Sequence, residues 1–410
     1  MSEAYWLTNV RLESGYRFHQ EGFVTETVTE SCHLLIESDT ISQIVPSATV
    51  LMDDLPQKDA GNLLALPSFI EKHCHLDKTL LGDSWRAVTP AANLIERFEI
   101  EKNVLPTLPT TTKERAETML ATLLQAGSTH VRTHVDIYPE VGLQNLEAVQ
   151  AALAAYEGKL SHEIVAFPQH GLLRSNSAAF VREALRRGAG LVGGVDPANV
   201  DGNMEASLQQ MMELAVEANA GVDLHLHDGG QLGLATIRRL AALTEEAGWQ
   251  GRVSISHALA LADTDGQELE DMASMLAELG ITIITSAPIS RMMPPVNFLH
   301  ERHVPIALGC DNIFDSWSPF GTGDVFERTN RLVELFGRSS ERALGETLGF
   351  ITGGITPLNG AGERIWPKTG DTASMVLVEA SCSAEAVARR AKRTAVMFKG
   401  KIVSGSLDRN

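Results

Sequence analysis

LPSFIEKHCHLDK, residues 66–78, opens as a short apolar run broken by proline and closes polar, at His73, His75 and Asp77. In an extended strand successive side chains alternate between faces, so His73, His75 and Asp77 point one way and Cys74 the other. Two imidazoles along one face, at the C-terminal end of a strand, reach a single divalent metal ion. A pair of solvent-facing histidines is the plain alternative.

Upstream, residues 1–65 read as short strands (TNVRLE, FVTETVTE, HLLIES, ISQIV) with turn residues between them and no helical period. Downstream the texture changes to strands alternating with helices. After the candidate strand at 65–75, seven more short apolar stretches follow, at 129–137, 162–170, 191–197, 221–228, 251–258, 281–288 and 304–312. The segments between them, among them 112–127, 177–190, 206–221, 234–248 and 269–280, carry apolar residues at three- and four-residue spacing. Each ends in glycine, as a helix C-cap does. Strands in this alternation pair in parallel through right-handed crossovers, and eight of them close into a (β/α)8 TIM-type barrel. An open doubly wound sheet would more often carry a Gly-rich first turn, and none follows the first strand. Two further helical stretches, 325–337 and 340–352, precede a return to strands at ASMVLVEA and TAVMFKGKIVSGS. The expected class is α/β: a barrel over 66–355 and a small β-sandwich module built by both termini, 1–65 and 356–410. Residues 80–105 and 289–300 read as loops lining the barrel mouth.

Bulk composition narrows the function. In 410 residues the apolar share is 44% and the charged share 21%, values of a globular chain with a sizeable core. Net charge is −18 without a basic run, which argues against nucleic acid, an anionic membrane surface or a highly acidic substrate. Cys32, Cys74, Cys310 and Cys382 are scattered, with neither metal nor disulfide spacing. The start MSEAYWLTNVRLESG lacks a leader pattern and no apolar run reaches membrane-spanning length, so a cytoplasmic location is expected. Pairing of copies through exposed helical faces is allowed for, as barrels often pair.

In this architecture chemistry sits at the C-terminal strand ends. Those ends carry His73 and His75; His134 and Asp136; Gln169 and His170; Asp196; His225, His227 and Asp228; His257; and Asp311 with Asn312. Random scatter would not place so many of the histidines there. Two histidines from the first strand, one from the fifth and a carboxylate from the eighth make an N3O donor set suited to one Zn(II) or Fe(II) ion with a position left for water. The fourth strand ends VGGVDP, without a lysine to bridge a second metal. Alternation turns the Cys74 and Cys310 thiols away.

The pieces EKHCHLDKT (71–79), HVRTHVD (130–136), EIVAFPQHG (163–171), DLHLHD (223–228), SHA (256–258) and GCDNIFDSWSPFG (309–321) together resemble the cytosine-deaminase branch of the amidohydrolase superfamily. VGGVDPA (192–198) and HLHD look closest to a subgroup that includes amidohydrolases acting on N-isopropylammelide. The resemblance implies His73, His75, His225 and Asp311 as metal ligands, His257 beside the attacked centre, Gln169 against the substrate ring and Trp317 in the wall over it. Cytosine deaminases carry a glutamate three residues after the fifth-strand histidine; here that place holds Asp228, preceded by His227, and a second acid of that family is replaced by Asn312. Both departures fall on ring-recognition positions.

The expected reaction is hydrolytic deamination of a small neutral nitrogen heterocycle, a cytosine-like aminopyrimidine or related ring, through a metal-activated hydroxide. Asp311 takes the water's proton; Asp228, with His227 or His257, passes it to the ring and the leaving amine. Release of an alkylamine from a triazine-like ring is the runner-up. A catalytically silent barrel acting as a binding or scaffold protein is the reading from another class, and retention of the whole donor set argues against it. Plainer roles stand beside these: His134 as a buried histidine donating to a carboxylate, Asp136 and Asp196 as hydrogen-bonded scaffold, Asp311 as a helix N-cap, and Trp317 as ordinary core.

Overall fold

The computed structural model describes residues 4–289 and 292–408. Five N-terminal strands come first: β1 (Ala4–Phe18), β2 (Val24–Glu37), β3 (Thr40–Pro46), β4 (Gln57–Asp59) and β5 (Leu64–Pro67). The barrel strands follow: β6 (Phe69–Cys74), β7 (Ser128–Asp136), β8 (Ser161–Phe167), β9 (Leu191–Val195), β10 (Gly221–His225), β11 (Val253–Ser256), β12 (Thr282–Thr285) and β13 (Ile306–Leu308). They pair in parallel in chain order. The C-terminal strands β14 (Met375–Val378), β15 (Arg393–Phe398) and β16 (Lys401–Gly405) complete the set.

The seam between the first and last barrel strands shows how the ring closes. Cys74 bridges Asp311 in parallel, and the Asp311 N–H donates to the His73 carbonyl at 2.7 Å. The buried Glu71 spans the same seam: its Oε1 accepts from the His73 and Cys310 N–H groups, each at 2.9 Å. Gly309 is required there, because a Cβ would lie 2.5 Å from His73.

Helices α1 (Leu94–Val104), α2 (Thr112–Gln125), α3 (Gln144–Ala154), α4 (Ala178–Arg186), α5 (Met204–Ala218), α6 (Gly230–Ala247), α7 (Gly266–Glu278), α8 (Val296–Glu301) and α9 (Val325–Leu335) wrap the barrel, followed by α10 (Glu341–Thr347) and α11 (Ser383–Arg389). Thr111 and Glu114 form a reciprocal capping box that starts α2. The expected glycine stop fails at α5: Asn219 takes the left-handed C-cap, and Gly221 opens β10 instead. The segments expected to be plain mouth loops contain α1 and α8; residues 290 and 291 of the second lie outside the described residues.

Both termini share one eight-stranded sheet, ordered β16-β15-β14-β5-β1-β2-β3 with β4 beside β1. It curls over its own core, bringing Leu7, Leu34 and Ile36 into one cluster with Met375, Leu377 and Met397. The Tyr5 hydroxyl donates to the Gly400 carbonyl at 2.7 Å, tying the two ends together. Leu66 and Pro67, read from sequence as the barrel's start, pair with Val376 and Met375 in this sheet. Among the described residues no helix is long and apolar enough to cross a membrane.

Candidate active site

Several strands end one to three residues before the site begins. His75, Gln169, Asp196, His227, His257 and Asp311 therefore lie on the turns that leave the strands, where side-chain alternation no longer dictates direction. Asp196, His257 and Asp311 have positive φ, at 35°, 70° and 60°, a backbone region that non-glycine residues rarely adopt. Such strain persists only where surrounding structure enforces it, and here it aims side chains inward.

Around the Asp311 carboxylate the histidines converge. His73 Nε2 and His75 Nε2 each lie 3.4 Å from Asp311 Oδ1, and His257 Nε2 lies 4.0 Å from Oδ2. The His225 ring sits 4.5 Å from that of His73 and 5.3 Å from that of His257, stacked on Phe167 at 4.2 Å. Separations of 3.4 Å are long for hydrogen bonds, but two ligands each about 2.1 Å from a tetrahedral ion lie about 3.4 Å apart. His73 Nε2 and both His225 nitrogens are buried without a hydrogen-bond partner. Polar atoms are rarely left so. The donor set thus fits a divalent cation, as ligand atoms of His73, His75 and Asp311, and of His73, His225 and His257, gather within 4.8 Å.

Protonation is set for ligation. Burial, with the Lys78 charge nearby, pushes His75 down to about 3, and burial holds His225 well below its usual value. For Asp311 burial would raise the pKa, but His73 and His75 outweigh it and hold the carboxyl well below the usual range. A hydrogen-bond chain fixes the His73 tautomer. The Ser256 hydroxyl donates to Asp223 Oδ1 at 2.8 Å, so His73 Nδ1, 2.8 Å from that hydroxyl, must donate to it and leave Nε2 as the lone-pair nitrogen. Arg132 Nη1 donates to Asp223 Oδ2 at 2.9 Å, and Arg132 also pairs with Glu163. His134 does not donate to a carboxylate as expected: its Nε2 stands 3.8 Å from Asp223, and neither ring nitrogen has a hydrogen-bond partner.

Beyond β10 the structure separates two residues that sequence reading groups together. His227 lines the cavity, its ring stacked 4.5 Å from that of His257 and its Nδ1 2.8 Å from Asp196 Oδ2. Asp196 Oδ1 also accepts the N–H groups of His227 and Asp228, the scaffold role expected of it. Asp228 is not among the cavity-lining residues; its Oδ1 accepts from Asn199 at 2.6 Å, and burial followed by the Asp196 charge raises its pKa. Alternation stops with the strand at His225, and Asp228, though buried, turns away from the cavity lining with its Oδ2 left without a hydrogen-bond partner.

A second buried polar group borders the same cavity. Lys78 Nζ donates to Gln169 Oε1 at 2.5 Å, and Gln169 Nε2 donates to Glu101 Oε1 at 2.5 Å and to Asp136 Oδ2 at 3.0 Å. Trp317 lines the cavity wall, with its indole N–H on Glu101 Oε2 at 2.5 Å. Burial alone would lower Lys78, but Glu101, Asp136, Asp77 and Asp315 outweigh it and hold the ammonium above its usual value. Asp77 belongs to this cluster rather than to the histidine face: its Oδ2 accepts the Asp136 N–H at 2.7 Å. Gln169 reaches the cavity wall, but its amide is already engaged on both sides. Sequence reading assigned nothing to Lys78, which stands in the opening motif, or to Glu101, which comes from a helix.

The cavity over these groups measures about 710 Å³. Phe98, Phe167 and Val195 give it an apolar side, and Asn312, Ser318 and Thr322 offer neutral hydrogen-bonding groups. A volume of several hundred cubic ångströms with a few convergent polar groups suits a small planar ligand.

A sequence model of the amidohydrolase family matches residues 58–404. The chain belongs to the amidohydrolase family. It is 41% identical over 411 residues to the uncharacterized protein YahJ of Escherichia coli (strain K12), covering 98% of this chain and 88% of that one. The crystal structure of N-isopropylammelide isopropylaminohydrolase from Burkholderia multivorans superposes with a TM-score of 0.87 at 30% identity, covering 98% and 99% of the two chains. That of 5-methylcytosine deaminase from Klebsiella pneumoniae, liganded with 5-fluorocytosine, gives 0.79 at 24% identity over 98% and 97%, a likeness of fold. This amidohydrolase therefore has the barrel of both branches that its motifs resemble.

Proposed function

We propose that the protein is a metal-dependent hydrolase that deaminates a small planar nitrogen heterocycle. The carrying observation is the convergence of His73 Nε2 and His75 Nε2, each 3.4 Å from Asp311 Oδ1, beside a buried His225 ring whose nitrogens have no hydrogen-bond partner, at the wall of the cavity. His73, His75, His225 and Asp311 would hold one Zn(II) or Fe(II) ion. When bound, such an ion acts as a Lewis acid and lowers the pKa of a water molecule from about 15.7 toward about 7.

The chain's own groups supply the rest. Asp311, kept ionised by its histidine neighbours, accepts the proton of the attacking water. The water oxygen bonds to the ring carbon that carries the exocyclic amine, and the adjacent ring nitrogen takes a proton as the C=N electrons move onto it. His227, with its Nδ1 oriented by Asp196, lies beside His257 at the cavity and relays the proton taken by Asp311 to the ring nitrogen, then the proton lost by the new hydroxyl to the leaving amine. The C–N bond breaks, leaving a ring carbonyl and ammonia. Asn312 and Trp317 bound the ring from the wall, and Gln169 supports that wall through Lys78 and Glu101. Asp228 remains the alternative proton carrier. A small alkylamine as leaving group is a second reading, favoured by the 30% identity, over nearly the whole chain, to the N-isopropylammelide enzyme.

The test is metal content of the purified protein together with ammonia and alkylamine release from a panel of aminopyrimidines, aminotriazines and pterins. About one ion per chain with release from any ring supports the reading. Failure to retain metal after reconstitution overturns it and returns the silent barrel.

A further inference from the structure

The outer wall of the cavity carries a positive charge that this reaction does not use. Helix α9 contributes Glu327, Arg328 and Arg331 to the cavity lining. Its start is fixed by Asp324, which caps the N–H groups of Phe326 and Glu327 and pairs with Arg393. Arg331 pairs with Glu327 at 2.9 Å, so those two charges offset each other. Arg328 is different. It is only 8% exposed, and among the described residues the one hydrogen bond of its side chain runs from Nη2 to the Cys310 carbonyl at 3.1 Å, without a carboxylate in ion-pair distance. A guanidinium has five N–H donors and stays charged at any working pH, so burying one with a single neutral acceptor is costly. In a chain of net charge −18, such a group facing the cavity next to Asp311 calls for an anionic partner.

We propose that Arg328, with Arg331 beside it, forms a subsite for a single carboxylate carried by the heterocyclic substrate. This deepens the deaminase reading and rests on it for the identity of the ring. The planar fork of a guanidinium matches a carboxylate in geometry. The charge count selects carboxylate over phosphate monoester: two arginines less Glu327 leave one surplus positive charge. Asn312, Ser318 and Thr322 on the same stretch of lining add neutral donors for an oxyanion. The substrate is then a ring carrying one negative charge, in contrast to the neutral heterocycle expected from sequence; one local charge outweighs a screened global field.

The experiment is calorimetric binding of matched pairs, 5-carboxycytosine against cytosine and 6-carboxypterin against pterin, to the metal-reconstituted protein, with inorganic phosphate as a third probe. In at least one pair the carboxylated member should bind about ten- to a hundredfold more tightly. Arg331→Gln should reduce that preference, and Arg328→Gln should bring it to within about twofold; Arg328→Lys, which keeps the charge and a donor for Cys310, should retain part of it. A merely structural role for Arg328 would weaken both members of a pair equally and leave their ratio unchanged. Pairs that bind alike, pairs that do not bind at all, phosphate binding tighter than either carboxylate, or a preference that survives Arg328→Gln would each overturn the proposal. Selective carboxylate binding without release of ammonia or amine would keep the subsite and sink the deaminase reading instead.

Discussion

Two buried polar clusters line one cavity and differ in how their atoms are satisfied. Around Asp311, His73 Nε2 and both nitrogens of His225 find no partner. Around Lys78, the ammonium, the Gln169 amide and both Glu101 oxygens are taken up by one another and by Trp317. The first arrangement is unfavourable as it stands and would become favourable with a cation; the second is knit together by charge-assisted hydrogen bonds, with only Asp77 Oδ1 and Asp136 Oδ1 left over, and serves as a rigid support. Unsatisfied nitrogens that converge on one carboxylate are what a ligand would complete, and hydrogen-bonded groups are what holds its surroundings still.

The largest test of this contrast removes a donor from the first cluster. Asp311→Ala should abolish turnover and metal retention while circular dichroism and the elution volume stay those of the parent; near-parental rates would remove its role. Next, His227→Gln should cut turnover by about 10²–10⁴, whereas Asp228→Asn should change it by no more than about fivefold. The opposite ranking would return the proton-carrying role to Asp228. In the second cluster Lys78→Met should leave metal content intact but destabilise the fold by about 3–5 kcal/mol, because it strands buried carboxyls without their cation. Chemical denaturation reads that loss, and an unchanged midpoint would show that the cluster is not the support described.

The smallest effect is a pH dependence. Burial raises Asp315 from 3.8 to about 7 in the fold, and Asp77 to about 6. Between the unfolded and folded values the unfolded carboxyl ionises first, so stability declines as pH rises from about 4 toward 7, and the penalty is complete above that. Asp315→Asn keeps the Oδ1 acceptor for the Trp317 and Ser318 N–H groups, at 2.8 and 2.9 Å. It should raise the melting temperature at pH 8 by about 2 °C and do nothing at pH 4. A lower melting temperature at pH 8 would contradict the sign.

The strand–helix alternation was legible because most barrel strands are short apolar runs and most helices carry a clear apolar face. His73, His75, His225 and Asp311 were legible because histidine and aspartate are rare at so many strand ends. His227 and Asp228 were not separable by parity, since alternation stops with the strand at His225. Glu101 was hidden because it comes from α1, a helix inside the excursion between β6 and α2, where sequence carries no sign of what the segment folds over. Arg328 lies in an ordinary amphipathic helix pattern, and only its burial without a counter-charge distinguishes it.

The seam between β6 and β13 has a consequence for how the protein is made. Glu71 and Cys310, joined there by a hydrogen bond, are 239 residues apart in sequence. As the chain leaves the ribosome, His73 and His75 emerge long before Asp311, and two imidazoles alone are a poor trap for an ion. The full donor set exists only once the last strand has docked against the first. An ion held across that seam would work as a clasp: it would fasten a finished ring, ignore an unfinished one, and have to let go before the ring could open there.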